Sequence, residues 1–218
     1  MAWWHAVAIV GHVALWVGGA KMGKKVAVVV GGSVAGLACA HAVAGAGWEV
    51  VVLEKAAAPA AGSGTGAGLG LDAQSMEIIS RWIPGWGIDA VTLPLAVDLV
   101  SFPVLSGSPA LALRLQNIAT DSATKAARTL ARDEDFKFRA AHWGDLHRRL
   151  HEELPPAVTV LWGHQFLSFE APDDTRGVVA TARVLRTGGT VEATGDLLIA
   201  ADGSTSSVRR SFLPDLKL

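Results

Sequence analysis

Val28–Ala40 reads VVVGGSVAGLACA. Three textures follow one another here: a run of valine, a turn crowded with glycine, and an alanine-rich stretch. Lys25–Val30 is a short, continuous apolar run, the pattern of a strand buried on both faces of a parallel sheet. Gly31–Gly36 reads as a tight turn. Leu37–Ala46 has the composition of a helix, closed by Gly45 and Gly47. Trp48–Leu53 is a second valine-rich strand, ending at Glu54. Together they make a β-α-β unit of about the thirty residues such a unit needs.

A turn between a buried strand and a helix N-terminus is where anions settle, because free N–H groups and the helix dipole meet there. In the spacing G-x-G-x-x-G the first glycine makes the turn, the second lets backbone approach a pyrophosphate, and the third packs helix on strand. Gly31, Ser33 and Gly36 occupy those three positions. Ser33 is a small polar departure whose hydroxyl can donate to a phosphate oxygen. Gly32, Val34 and Ala35 complete the turn. Glu54 ends the second strand about twenty residues on, where an acid accepts hydrogen bonds from ribose hydroxyls, and Lys55 follows it. Its charge disfavours a 2′-phosphate, so the expected ligand is FAD or NAD rather than NADP. The competing reading is a glycine-rich turn used only for packing.

Half of the 218 residues are apolar and 18% are charged, with a formal net charge of −1. That supplies a core and excludes disorder. No basic run with interleaved aromatics is present, so no nucleic-acid partner is expected. Cys39 is the single cysteine and reads as a small apolar residue. Among seven histidines, His147 and His151 stand four apart on an expected amphipathic helix, on positions expected to face water. With no third ligand in sight, no metal site is expected.

Residues 1–20, MAWWHAVAIVGHVALWVGGA, are almost wholly apolar. They are long enough for a membrane anchor but lack the basic start of a signal peptide. A third reading starts the working protein at Met22 and treats residues 1–21 as an extension. Membrane contact is expected only through these residues. The expected location is cytoplasmic, with membrane anchoring or organelle targeting as the alternative.

Further on, Ala56–Gly70 reads as a loop and Asp72–Trp82 as a helix. Val97–Leu105 and Ala110–Leu115 read as strands, while Asn117–Asp135 shows no clear pattern. His142–Leu154 carries Leu146, Leu150 and Leu154 at helical spacing. Thr159–Phe169 reads as one strand, Val178–Leu185 and Thr190–Ala193 flank a Gly188-Gly189 hairpin turn, and Asp196–Ala201 is a last buried strand. It runs into ADGSTSSVRR, with a helix starting near Val208.

Four stretches, VAVVVGGSVAGLACAHAVAGAGWEVVVLEK, GTGAGLGLDAQS, HWGDLHRRLHEELP and DLLIAADGSTSSVRRSFLPDLKL, stand in the order seen in FAD-dependent aromatic-ring hydroxylases. The chain resembles these flavoprotein monooxygenases from Lys24 onward, and most the branch containing 2,6-dihydroxypyridine 3-monooxygenase, whose turn also tends to carry G-G-S. The resemblance implies a Rossmann-like α/β FAD-binding domain with a parallel sheet and a β-meander, plus part of an antiparallel substrate-domain sheet. It divides the chain into 22–90 and 141–218 for the FAD domain and 91–140 for substrate-domain strands. Gly31, Ser33 and Gly36 would hold the FAD pyrophosphate and Glu54 the adenosine ribose. Asp202 and Gly203 would sit near the pyrophosphate and influence NAD(P)H use. Gly68 and Leu69, within Gly66–Leu71, would pass near the flavin ring. The family's helix opens with an arginine where this chain has Trp143.

By the same resemblance NAD(P)H reduces the flavin, O2 adds to give a C4a-hydroperoxide, and one oxygen passes to a small aromatic or heteroaromatic substrate. The cofactor carries the hard chemistry, and no catalytic side chain is assigned. Family members continue into a Gly-Asp-Ala segment and more of the substrate sheet, which have no counterpart before Leu218. On that reading the chain is the first part of a hydroxylase, or a non-catalytic FAD-binding module. An NAD-dependent dehydrogenase is the remaining alternative, and it leaves ADGSTSSVRR unexplained.

Overall fold

A computed structural model of the chain describes residues 24–59, 68–83, 87, 91–102, 110–117, 128–171 and 177–213. In chain order the elements are β1 (Val26–Val30), α1 (Val34–Gly45), β2 (Glu49–Glu54), β3 (Gly68–Asp72), α2 (Ala73–Trp82), β4 (Thr92–Phe102), β5 (Ala110–Asn117), β6 (Arg128–His142), α3 (Trp143–Glu152), β7 (Val158–Trp162), β8 (His164–Glu170), β9 (Val178–Val184), β10 (Thr190–Gly195), β11 (Leu197–Ala200) and α4 (Ser207–Phe212). They fall into two units. One holds the described residues up to 59 and those from His147 onward; the other holds those from 68 to Leu146. The apolar leader expected over residues 1–21 lies outside the described residues, and no described helix is long and apolar enough to cross a membrane.

The first unit is built on a parallel sheet of order β11-β1-β2-β7. Its valine runs follow from burial on both faces. Val28, Val30, Val51, Leu53 and Leu198 point to one side and pack with Phe166, Val178, Ala180 and Ala193. These last four belong to the antiparallel three-stranded sheet β10-β9-β8. Ala27, Val29, Val50, Val52 and Ile199 point to the other side, where Ala40 of α1 covers them and Cys39 packs at the margin. Burial pushes the Cys39 thiol upward, in keeping with an inert packing residue.

The stretch expected as one strand over Thr159–Phe169 is two. Gly163, at φ +71°, separates them, donating to Ala56 O at 2.7 Å and accepting from Leu185 N at 2.8 Å. A left-handed residue there lets the chain leave the parallel sheet and enter the meander. The hairpin at Gly188-Gly189 forms as expected between β9 and β10, with Gly188 at φ +75°.

The second unit is an antiparallel sheet of order β3-β6-β4-β5 with α2 beside it. Asp72 caps α2, its carboxylate accepting from Ser75 N at 2.7 Å; these Ser75 hydrogen bonds hold its pKa below the usual carboxylate value. Two expectations change here. The loop read over Ala56–Gly70 gives way to strand at Gly68, and the stretch without pattern contains the start of β6 at Arg128. Glycine is a poor strand former, but pairing with His142, Ala141 and Ala140 holds Gly68–Gly70 extended. A Cβ on Gly70 would lie 2.3 Å from the Phe138 ring, so glycine there makes room for an aromatic neighbour in the same sheet.

Candidate dinucleotide-binding site

The expected turn forms at the carboxyl end of β1. Its local geometry explains the glycines. Gly31 adopts φ +104°, and a Cβ on it would fall 2.4 Å from Ala201 O. A Cβ on Gly36 would fall 1.8 Å from Gly31 O. Both positions therefore admit no side chain, the first by conformation and contact, the second because helix and turn touch backbone to backbone. Ser33 is the N-cap of α1, is exposed, and makes no side-chain capping bond. Its hydroxyl is thus not used up by its own helix. Ala35 is exposed as well, Val34 is half-buried, and the first turn of α1 carries no acid.

The strand order explains why distant residues gather here. From β1 the chain crosses through α1 to β2 on one side, while β11 lies on the other. The crevice between such diverging connections, outside the carboxyl ends of the strands, is where open α/β sheets bind ligands. Gly31 N donates to Leu53 O at 2.9 Å and Ala201 N donates to Val30 O at 2.8 Å, so the ends of β2, β1 and β11 are tied together. Asp202 and Gly203 leave β11 at this point. Asp202 accepts from Ser206 Oγ at 2.5 Å and from Ser207 N at 2.6 Å, fixing the first turn of α4, and Gly203 takes φ +80°.

Glu54 is also in place at the end of β2. One oxygen accepts from Gly32 N at 2.6 Å and the other from Ala56 N at 2.7 Å. The acid therefore braces the glycine-rich turn, a task that spacing alone does not reveal. An ionised carboxylate offers about four acceptor sites, so capacity remains for a ribose hydroxyl. Lys55 is exposed just beyond it. Gly68 and Leu69 belong to the second unit, in β3; Gly68 is exposed with nothing within 4 Å of a Cβ, and Leu69 is half-buried.

One expectation is reversed. His147 does not face water: it is 3% exposed, and its Nε2 lies 2.8 Å from Gly32 O. The leucine spacing locates the centre of the buried face of α3, with Leu146 and Leu150 each 1% exposed. Position 147 lies three residues before Leu150 on the same face. A histidine is tolerated there because a carbonyl meets its ring nitrogen. A second buried histidine, His41 of α1, is 2% exposed and bonds the Leu150 carbonyl at 2.8 Å, tying α1 to α3. Burial lowers its pKa. His151 is half-buried and shifted the same way, first by burial and then by His147. Among the described residues no group of histidine, cysteine and acids is arranged to hold a metal ion.

No family model matches the chain. No curated protein matches it either. Solved structures do. The flavin-dependent monooxygenase PieE, solved with FAD and substrate, superposes with a TM-score of 0.61 at 21% identity, over 85% of this chain and 31% of its own. For 2,6-dihydroxypyridine-3-hydroxylase from Arthrobacter nicotinovorans the TM-score is 0.55 at 22% identity, over 86% of this chain and 39% of that one. Aklavinone-11 hydroxylase, solved with FAD and aklavinone, gives 0.61 at 20% identity, over 85% and 34%. The chain has the fold of the corresponding parts of these proteins, and spans between three and four tenths of their length.

Proposed function

We propose that the chain is the dinucleotide-holding part of an FAD-dependent monooxygenase that hydroxylates a small aromatic or heteroaromatic substrate, with NAD(P)H as electron donor. The observation that carries this reading is the meeting of the glycine-rich turn with the Ala201-Asp202 backbone, about 170 residues downstream, where a Cβ on Gly31 would lie 3.1 Å from Asp202 Cα. A turn serving packing alone has no need of that partner, nor of an exposed, uncommitted Ser33. The solved structures that share the fold add flavin chemistry on aromatic compounds to the reading.

In this reading the α1 N-terminus takes the pyrophosphate, with Gly31 and Gly36 keeping side chains away, Ser33, Val34 and Ala35 supplying backbone and hydroxyl donors, and Gly32, whose N–H is held by Glu54, shaping the turn. Glu54 takes the adenosine ribose while bracing Gly32, and Lys55 lies beside it. Asp202 and Gly203 border the pyrophosphate; for Gly68 and Leu69 a role at the flavin ring rests on the family resemblance. FAD supplies the oxygen-activating chemistry when bound; these residues bind and orient it. No described side chain is assigned a proton-transfer step.

The test is to purify the protein, denature it, and identify the released nucleotide by mass spectrometry. FAD in the supernatant, together with NAD(P)H oxidation coupled to hydroxylation of an aromatic compound, supports the reading. Release of NAD, or reduction of a nucleotide with no flavin present, places the protein among dehydrogenases instead.

A further inference from the structure

His147 is a buried polar side chain that the reading above leaves without a task. Its Nε2 bonds the Gly32 carbonyl at 2.8 Å. A carbonyl oxygen only accepts, so Nε2 carries the proton. The N–H of the same glycine donates to Glu54 at 2.6 Å. Both backbone groups of one turn residue are therefore held by side chains, from partners 22 and 115 positions away. The Trp162 ring lies edge-on to the imidazole at 6.5 Å.

The consequence follows from peptide geometry. There is no cis peptide bond among the described residues. In a trans peptide the C=O of one residue and the N–H of the next point in opposite directions. With the Gly32 carbonyl turned toward buried His147, the trans peptide turns the Ser33 N–H away from that histidine, and Ser33 itself is exposed. Glycine tolerates both orientations of its peptide. A flipped Gly32–Ser33 peptide would offer an oxygen, not a donor, to an arriving phosphate. We propose that His147 is a positioning residue for the turn: it holds the Gly32 carbonyl inward and so aims the Ser33 N–H at the diphosphate of the bound dinucleotide. The proposal rests on the dinucleotide reading and adds to it a residue from α3.

The test compares His147→Phe and His147→Gln with the wild-type protein, titrating FAD, ADP and adenosine by calorimetry. Loss of one buried, oriented donor predicts FAD and ADP binding about tenfold weaker in H147F, with adenosine affinity unchanged. H147Q, whose amide can reach the same carbonyl, restores most of the loss. Unchanged FAD and ADP affinity in H147F overturns the role, as does an equal loss for ADP and adenosine, which marks general damage. If H147F does not fold, His147→Asn replaces it. Its amide stops short of the carbonyl, so weaker ADP binding than in H147Q supports the role and equal binding overturns it. Wild-type protein that binds neither FAD nor ADP defeats the dinucleotide reading itself, and the role of His147 falls with it.

Discussion

Gly36→Ala is the smallest change that probes the architecture of the turn. The added methyl would lie 1.8 Å from Gly31 O, 2.9 Å from Gly31 C and 3.2 Å from Val29 Cγ1. Ordinary contact begins near 3.4 Å, so helix and turn must part by about 1.6 Å. The obstacle is backbone, which has no rotamer to change. Moving α1 outward loosens Ala40 from Val29, Val50 and Val52, all of them fully or almost fully buried. Overpacking of this kind costs about 3 kcal/mol, the upper end of the usual range. For a chain of this size that lowers the melting temperature by roughly 6–12 °C. Gly45→Ala is the matched control in the same helix. Nothing lies within 4 Å of its Cβ and its φ is not positive, so alanine there stabilises by about half a kcal/mol. Thermal and urea unfolding followed by circular dichroism read both variants. A Gly36→Ala protein within about 0.5 kcal/mol of wild type refutes the close-packing argument, as does a Gly45→Ala protein equally damaged. Gly36→Val enlarges the same clash and is expected to abolish FAD binding.

Glu54→Gln replaces one acceptor oxygen by an amide donor facing either Gly32 N–H or Ala56 N–H, leaving a donor unmet. A loss of about 2 kcal/mol is expected, with faster hydrogen exchange at Gly32; unchanged exchange counts against the brace. Stability should also fall with acid. The folded chain holds His41 below its ordinary value of 6.5 through burial. The unfolded chain therefore takes the proton first, and stability drops as pH falls below about 6.5, by at most about 1.4 kcal/mol per unit for one proton. His151 contributes in the same direction. Melting curves between about pH 7.5 and about pH 5.5 read the slope, which His41→Gln should flatten; an identical slope in that variant removes His41 from the account.

The first unit was legible because its signals are local. Continuous valine runs, the turn spacing and the Gly188-Gly189 hairpin each name their element without knowledge of neighbours. The second unit was harder to read. β4 and β6 pair with register shifts between Leu95 and Val97 and between Leu99 and Val100. Such irregularities break the period of two on which strand reading depends. That is why the part of RTLARDEDFKFRAAH up to Asp135 shows no strand pattern. Gly163 carried a usable signal, since an isolated glycine within a strand pattern marks a bend. For His147 the spacing to Leu150 marks the buried face, but its partner, a carbonyl 115 residues earlier, leaves no local trace. The bracing role of Glu54 was hidden likewise, because spacing locates an acid but not the backbone N–H groups it meets.

The most direct test of the central claim is an FAD titration of the isotopically labelled protein, followed amide by amide by NMR. The account predicts saturable binding, with the largest shifts at Gly31–Gly36, Glu54 and Asp202-Gly203. Absence of binding, or saturable shifts that leave the turn and Asp202-Gly203 unmoved, contradicts it.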